Sequence, residues 1–152
     1  MSDRPTAKIP LAPDPPIGRA AIKTIDQLDR GDRQRLTGPA LRAFWNLARV
    51  WALTDAELMN LLGITSRATL RRWRSGQVKA LRRDTFERLS LLLGIFRALN
   101  ELFGRSQLAD GWIRRPNRAP LFDGRSALEF MLCGTIEHLR QTRRYLDAVL
   151  WP

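Results

Sequence analysis

Between Arg67 and Arg83 the chain carries seven basic side chains (Arg67, Arg71, Arg72, Arg74, Lys79, Arg82 and Arg83) and no acidic one. Clustered guanidinium and ammonium groups are the chemistry of phosphate binding, because each phosphate neutralised releases condensed counterions. The excess is local as well as global. Of a net charge of +11 (26 basic, 15 acidic), residues 37–103 hold +6 (11 and 5), against +2 for 1–36 (7 and 5) and +3 for 104–152 (8 and 5). Catalytic chemistry finds no such concentration. His138, the one histidine, falls on the wet side of a predicted helix. Cys133 stands near a helix end among apolar neighbours, where a buried, inert thiol is expected. Asp123 beside Gly124 reads as a turn, not as half of an acid–base pair. No glycine-rich phosphate loop and no Cys/His metal spacing occurs, so no enzyme activity, cofactor or metal is expected.

The basic cluster needs an element to present it, and residues 53–76 supply one. Thr54 and Glu57 form a T-x-x-E capping box that opens a first helix. Leu58, Leu61 and Leu62 follow at helical spacing as its buried stripe. Gly63 suits a left-handed stop, with Ile64 as the apolar plug of the turn. Ser66 caps a second helix that runs through Trp73 towards Gly76, burying Leu70 and Trp73 and exposing Arg67, Thr69, Arg71, Arg72 and Arg74. This is the layout of a helix-turn-helix, whose second helix enters the DNA major groove by its N-terminal end.

Around that unit the chain reads as all-α, without a convincing strand or repeat. Residues 1–36 are expected to be a flexible arm, rich in proline to residue 16, with a short helix over Ile22, Ile25 and Leu28 that stops near Gly31. Thr37 and Pro39 predict a helix start, and the helix should reach about Leu53 with Leu41, Phe44, Trp45, Ala48 and Trp51 on one face. Asp84 and Glu87 predict a further capping box and a helix to about Phe103. Its apolar residues cover more than half of the circumference, so it should be buried on two sides, by the C-terminal segment and by a second subunit. Gly104 to Gly111 reads as a polar connection. Ser126 and Glu129 cap a helix to about Cys133, closed by Gly134. A last helix over Thr135 to about Leu150 should turn Ile136, Leu139, Leu146, Val149 and Leu150 inward and leave Glu137, Arg140, Arg143, Arg144 and Asp147 wet. The longest apolar run, Leu91 to Phe96, is too short to span a bilayer. No secretion signal is seen, and the lone cysteine excludes an internal disulfide, so the cytoplasm is the expected compartment.

The C-terminal third carries W-I-R-R-P-N and then L-F-D-G-R-S-A-L-E-F-M. Together with the L-R-R-W-R-S-G phrase that ends the helix-turn-helix, these residues resemble the Xre/MbcA/ParS antitoxins over roughly residues 40–150. The positions that carry the resemblance are Trp112, Pro116, Asn117, Phe122, Gly124, Leu128 and Glu129, with Gly134 closing the helix. It implies an antitoxin of a type II toxin–antitoxin system, with a helix-turn-helix domain over 37–103 and a toxin-binding domain over 104–152. It also implies a RES-domain toxin as partner, one that consumes NAD or transfers ADP-ribose from it, and an operator that the antitoxin represses. A stand-alone helix-turn-helix repressor is the alternative reading, and a pure protein-interaction module is a third.

On these grounds the expected DNA-binding residues are Ser66, Arg67, Thr69, Arg71, Arg72, Arg74 and Lys79, with Arg67 or Arg71 bidentate to guanine and Arg72, Arg74 and Lys79 mainly on phosphate. The expected toxin-binding residues are Trp112, Pro116, Asn117, Phe122, Arg140, Arg143, Arg144, Trp151 and Pro152. Trp112 is divided between packing and partner contact, and Pro116 and Asn117 between shaping their loop and touching the toxin. Trp151 either anchors a partner or folds back on the last helix. A homodimer is expected to set two reading helices on a palindromic site.

Overall fold

The computed structural model describes residues 27–104 and 107–152. The expected arm over 1–20 and the short helix through Ile22 and Ile25 lie outside the described residues. Helix α1 (Arg30–Val50) begins earlier than Thr37 and runs straight through Gly31. Asp29 caps it, accepting from the Asp32 N–H while the Asp32 carboxylate accepts from the Asp29 N–H. This Asp–Asp box supplies the start that Thr37 and Pro39 were expected to supply. Pro39 instead sits in the helix interior, where its missing N–H leaves the Arg35 carbonyl without its usual donor. Thr37 is buried, and its hydroxyl donates to the Arg33 carbonyl (2.6 Å) and accepts from the Leu81 N–H (3.2 Å).

The helix-turn-helix follows its local signals closely. Helix α2 (Asp55–Leu62) opens on the reciprocal Thr54–Glu57 box and buries Leu58, Leu61 and Leu62. Gly63 takes the left-handed conformation (φ 70°). Its N–H and that of Ile64 return to the carbonyls of Asn60 and Met59, a paired closure that satisfies two orphan acceptors. Helix α3 (Arg67–Arg74) is capped by Ser66, whose hydroxyl accepts from the Thr69 N–H at 3.3 Å.

Helix α4 (Arg83–Phe103) is the spine. Arg82 occupies its cap position without a side-chain hydrogen bond, so the expected Asp84–Glu87 box does not form. Starting two residues earlier puts Asp84 inside the first turn, where it pairs with Arg88, and turns Glu87 towards Arg140. Phe86, Leu89, Leu92, Ile95 and Leu99 are buried, and Leu91, Leu93, Phe96, Leu102 and Phe103 are half-buried. Within the chain, α1 covers α4 along one side and the later helices along another. Trp51 meets Phe96 edge-on at 6.0 Å across the α1 side.

The expected polar connection is partly helical: α5 (Gln107–Trp112) packs on α4. Asp123 (φ 51°) and Gly124 (φ 83°) form a left-handed pair in the turn before α6 (Ala127–Met131), and Ser126 caps α6 by accepting from the Glu129 N–H. Helix α7 (Ile136–Leu150) lies against α4 and buries Leu139, Thr142 and Leu146. Val149, expected inside, is 48% exposed. Trp112, Phe122, Phe130 and Tyr145 interlock as an aromatic cluster with ring centroids 5.1 to 6.5 Å apart. Among the described residues there is no sheet, only an isolated bridge between Pro116 and Ser126, and no helix is long and apolar enough to cross a membrane.

Candidate DNA interface and toxin-binding surface

On α3, successive residues are rotated by about 100°. Leu70 and Trp73, turned towards the core, therefore stand opposite Ala68, Arg71, Arg72 and Ser75. Arg67, Ala68, Arg71 and Arg72 are all exposed and share an acid-free face with Arg67 at its N-terminal edge. Ala68 was missed by a search for charge. It lies in the middle of the face, where its small side chain leaves the helix backbone open between the arginines. Thr69 is half-buried, and its hydroxyl accepts from Arg72 (3.2 Å). Ser66 spends its hydroxyl on the cap. Lys79 is exposed in the loop after α3.

Arg74 is turned away from this face. Its guanidinium donates to Asp55 at 2.7 Å and lies 5.8 Å from the Trp45 ring, tying the end of α3 to the first turn of α2 and to α1. The hydrogen bond from Arg74, against a smaller opposing effect of burial and aided by the charges of Arg74 and Arg67, holds the Asp55 carboxyl below its usual range. Arg74 therefore serves the packing of the helix pair, a partner the basic run could not disclose because Asp55 is 19 residues away. A cleft of about 670 Å³ lies between the start of α3 and the start of α4. Its one carboxylate, Asp84, is engaged by Arg88, which leaves it no acid–base pair.

The expected toxin-binding residues separate into inner and outer sets. Phe122 is fully buried, and Trp112 is half-buried with its ring stacked on Tyr145 (18° between planes), so both hold the loop in place. Asn117 shapes the loop: its side-chain oxygen accepts from the Ala119 N–H, and its backbone exchanges bonds with Arg125 and Gly124. Arg140 and Arg143 do not stand free on a wet face. Arg140 pairs with Glu87 of α4, and Arg143 lies over Gly94, where an added methyl would collide with its guanidinium, and bonds Asp147. Pro116, Arg144, Trp151 and Pro152 are the exposed members, with Arg144 68% exposed along its side chain and Trp151 78%. Trp151 does not fold back on α7.

The two residues with nucleophile or base character are placed apart from any constellation. Cys133 is exposed, not buried, because α6 ends at Met131 and leaves it on the following turn, its sulfur 3.5 Å from Arg125 Nη1. His138 is half-buried, edge-on to Phe130 at 4.8 Å, and bonded to the Thr135 hydroxyl. No cluster that could hold a metal occurs among the described residues.

A helix-turn-helix with an acid-free outer face, backed by a compact helical unit on the same spine, defines a DNA-binding regulator with an attached protein-binding domain. Residues 30–94 match the antitoxin Xre-like helix-turn-helix domain, and residues 98–151 match the antitoxin Xre/MbcA/ParS C-terminal toxin-binding domain. A relative, the uncharacterized protein y4oB of Sinorhizobium fredii (strain NBRC 101917 / NGR234), is 44% identical over 108 residues, 71% of this chain and 81% of the relative. The chain belongs to the Xre/MbcA/ParS antitoxin family: it binds DNA as a transcription regulator of a toxin–antitoxin system and is not an enzyme.

Proposed function

We propose that this antitoxin silences a RES-type toxin, one that consumes NAD or transfers ADP-ribose from it, by covering the toxin's active site, and that α3 represses the operon through Arg67, Ala68, Arg71 and Arg72. The observation that carries the toxin half is Trp151, a tryptophan 78% exposed at the end of the domain whose family role is toxin binding. Tryptophan is a favoured interface anchor, and one this exposed gains most from a partner's pocket. Arg144, exposed on the same helix, offers a guanidinium to acidic or polar groups of a cleft built for pyrophosphate. Pro116 and Pro152 belong to the proposed surface, while Trp112, Asn117, Phe122, Arg140 and Arg143 support it from behind.

The operator half rests on the acid-free face of α3. A single eight-residue helix spans few base pairs, so the reading includes a homodimer that sets two copies of α3 about one DNA turn (~34 Å) apart on a palindrome. Co-expression with the toxin gives the test. Trp151→Ala with Arg144→Ala should release NAD loss and growth arrest, whereas Arg67→Ala with Arg71→Ala should keep protection and abolish operator binding. Full protection by the first variant refutes the toxin surface, intact operator binding by the second refutes the reading helix, and a monomer on non-palindromic DNA refutes the dimer.

A further inference from the structure

We infer that Arg114, on the toxin-binding side of the chain, is a positioning residue for operator binding: it holds α2, and through α2 the reading helix, in place. The inference rests on α3 as the reading helix. Arg114 leaves the loop between α5 and α6 and crosses to the helix-turn-helix. Its Nε donates to the Trp51 carbonyl (3.1 Å), and its Nη2 donates to the Ala52 carbonyl (2.9 Å) and reaches both oxygens of Glu57 (3.3 and 3.4 Å). These partners are the end of α1, the turn into α2, and the carboxylate that completes the α2 capping box. Ala52 is held at φ 50°, a left-handed conformation that a residue with a Cβ keeps only where its surroundings impose it.

The other end of α2 is held from the same side. Asn60, in its last turn, donates from Nδ2 to the Leu132 carbonyl (3.1 Å). Arg88 of α4 passes beside Gly63, where an added Cβ would lie 2.9 Å from its Nε, and donates to the Gly134 carbonyl (3.2 Å). Thus α2 is gripped at its start by the loop before α6 and at its end by the turn after it. Helix α3 inherits that placement, because the Gly63–Ser66 turn joins it to α2 and Arg74 returns to Asp55 in the first turn of α2. A fork of planar donors fits two carbonyls and a carboxylate at once, a task to which the single ammonium of lysine is unsuited.

The test uses the full chain and the best duplex selected from a randomised DNA library. Arg114→Ala should bind that duplex about tenfold more weakly, within the range seen for coupled contacts, with the slope of log K against log[salt] unchanged. Asn60→Ala should weaken binding in the same direction from the other grip. Both should still protect against the toxin in co-expression. A melting curve accompanies each variant, and Phe86→Leu, a core change outside the grip, serves as the comparator for stability loss alone. Three results overturn the inference: affinity within about twofold of the parent for both variants, an equal loss in Phe86→Leu at matched melting temperature, or a slope flattened by about one unit, which would make Arg114 a phosphate ligand. If Arg67→Ala with Arg71→Ala binds the duplex normally, the failure lies with the reading helix and not with the grip.

Discussion

Thr37→Val isolates one buried hydrogen bond without changing the shape of the side chain. In the parent, the Thr37 hydroxyl is the acceptor for the Leu81 N–H at 3.2 Å, in a place where Thr37 and Leu81 are 1% and 2% exposed. Valine removes that acceptor and leaves a buried amide unpaired, which costs about 1–3 kcal/mol. The Arg33 carbonyl loses the Thr37 hydroxyl as well, but it lies within the helical ladder and keeps that bond. Replacing hydroxyl with methyl in an apolar site returns up to about 0.8 kcal/mol. With the amide cost at about 2 kcal/mol, the middle of that range, the net loss is about 1–2 kcal/mol, and at roughly 2–4 °C per kcal/mol for a chain of this size the midpoint should fall by about 2–8 °C. Thr37→Ser keeps the hydroxyl and gives up one methyl, at a cost of about 0.8 kcal/mol. Thermal and urea unfolding should therefore rank threonine above serine and serine above valine, which puts the most hydrophobic of the three last. Hydrogen exchange at the Leu81 amide should accelerate in the valine variant alone. Valine at least as stable as serine, with Leu81 still protected, would refute the assignment.

Arg74→Ala should change stability by less than about 1 kcal/mol, because both partners of its ion pair are substantially exposed, and should leave the salt slope of DNA binding intact, while Arg72→Ala flattens that slope by about one unit. Glu57 should titrate below the usual glutamate range in the folded chain: burial alone would raise it, but hydrogen bonds from Thr54 and Arg114 outweigh burial, and Arg114→Ala should move it upward in a carbon-detected NMR titration. Because the folded value is the lower one, this stabilisation is present above the unfolded value and is lost as pH falls through the folded value, so the stability gap between parent and Arg114→Ala should narrow in acid. Phe122→Ala should cost about 3–5 kcal/mol, as loss of a fully buried ring does, and calorimetry should show it. Cys133 should react with a maleimide in the native state without denaturant, and Cys133→Ser should leave stability within about 0.5 kcal/mol.

Features whose physics closes within four residues were legible before the fold was known. Thr54 with Glu57, Ser66 with Thr69, and Gly63 with Ile64 each settle a helix end by contacts between near neighbours, and each forms as its spacing requires. Where two local signals compete, spacing alone does not choose. Thr37–Pro39 reads as the start of α1, but the Asp29–Asp32 box, which the spacing does not single out, is the start, and the Thr37 hydroxyl instead serves Leu81, 44 residues on. Asp84 likewise gave up its capping role when Glu87 found Arg140 at a separation of 53 residues. The same blindness to distant partners put Arg140 and Arg143 on a solvated face, since neither Glu87 nor Gly94 can be seen from the periodicity of α7. Arg74 and Asp55 are a further case. The periodicity of α3 marks an outward face, but it cannot say which outward arginine already has an anion.

Helix α4 has no break between the halves it serves: the helix-turn-helix match ends at residue 94, the toxin-binding match begins at 98, and both lie inside Arg83–Phe103. There is consequently no hinge at which specificity for DNA and specificity for toxin can be exchanged separately. A hybrid of two relatives joined within or after α4 inherits one surface of the helix from the wrong parent and must reconcile α1 packing with α7 packing on the same few turns. Divergence in one function is thus filtered through the residues of the other. The chain should melt in a single transition, and new pairings of operator and toxin should arise by substitutions at Arg67–Arg72 or at Arg144 and Trp151, which lie outside the shared spine, more readily than by shuffling of segments.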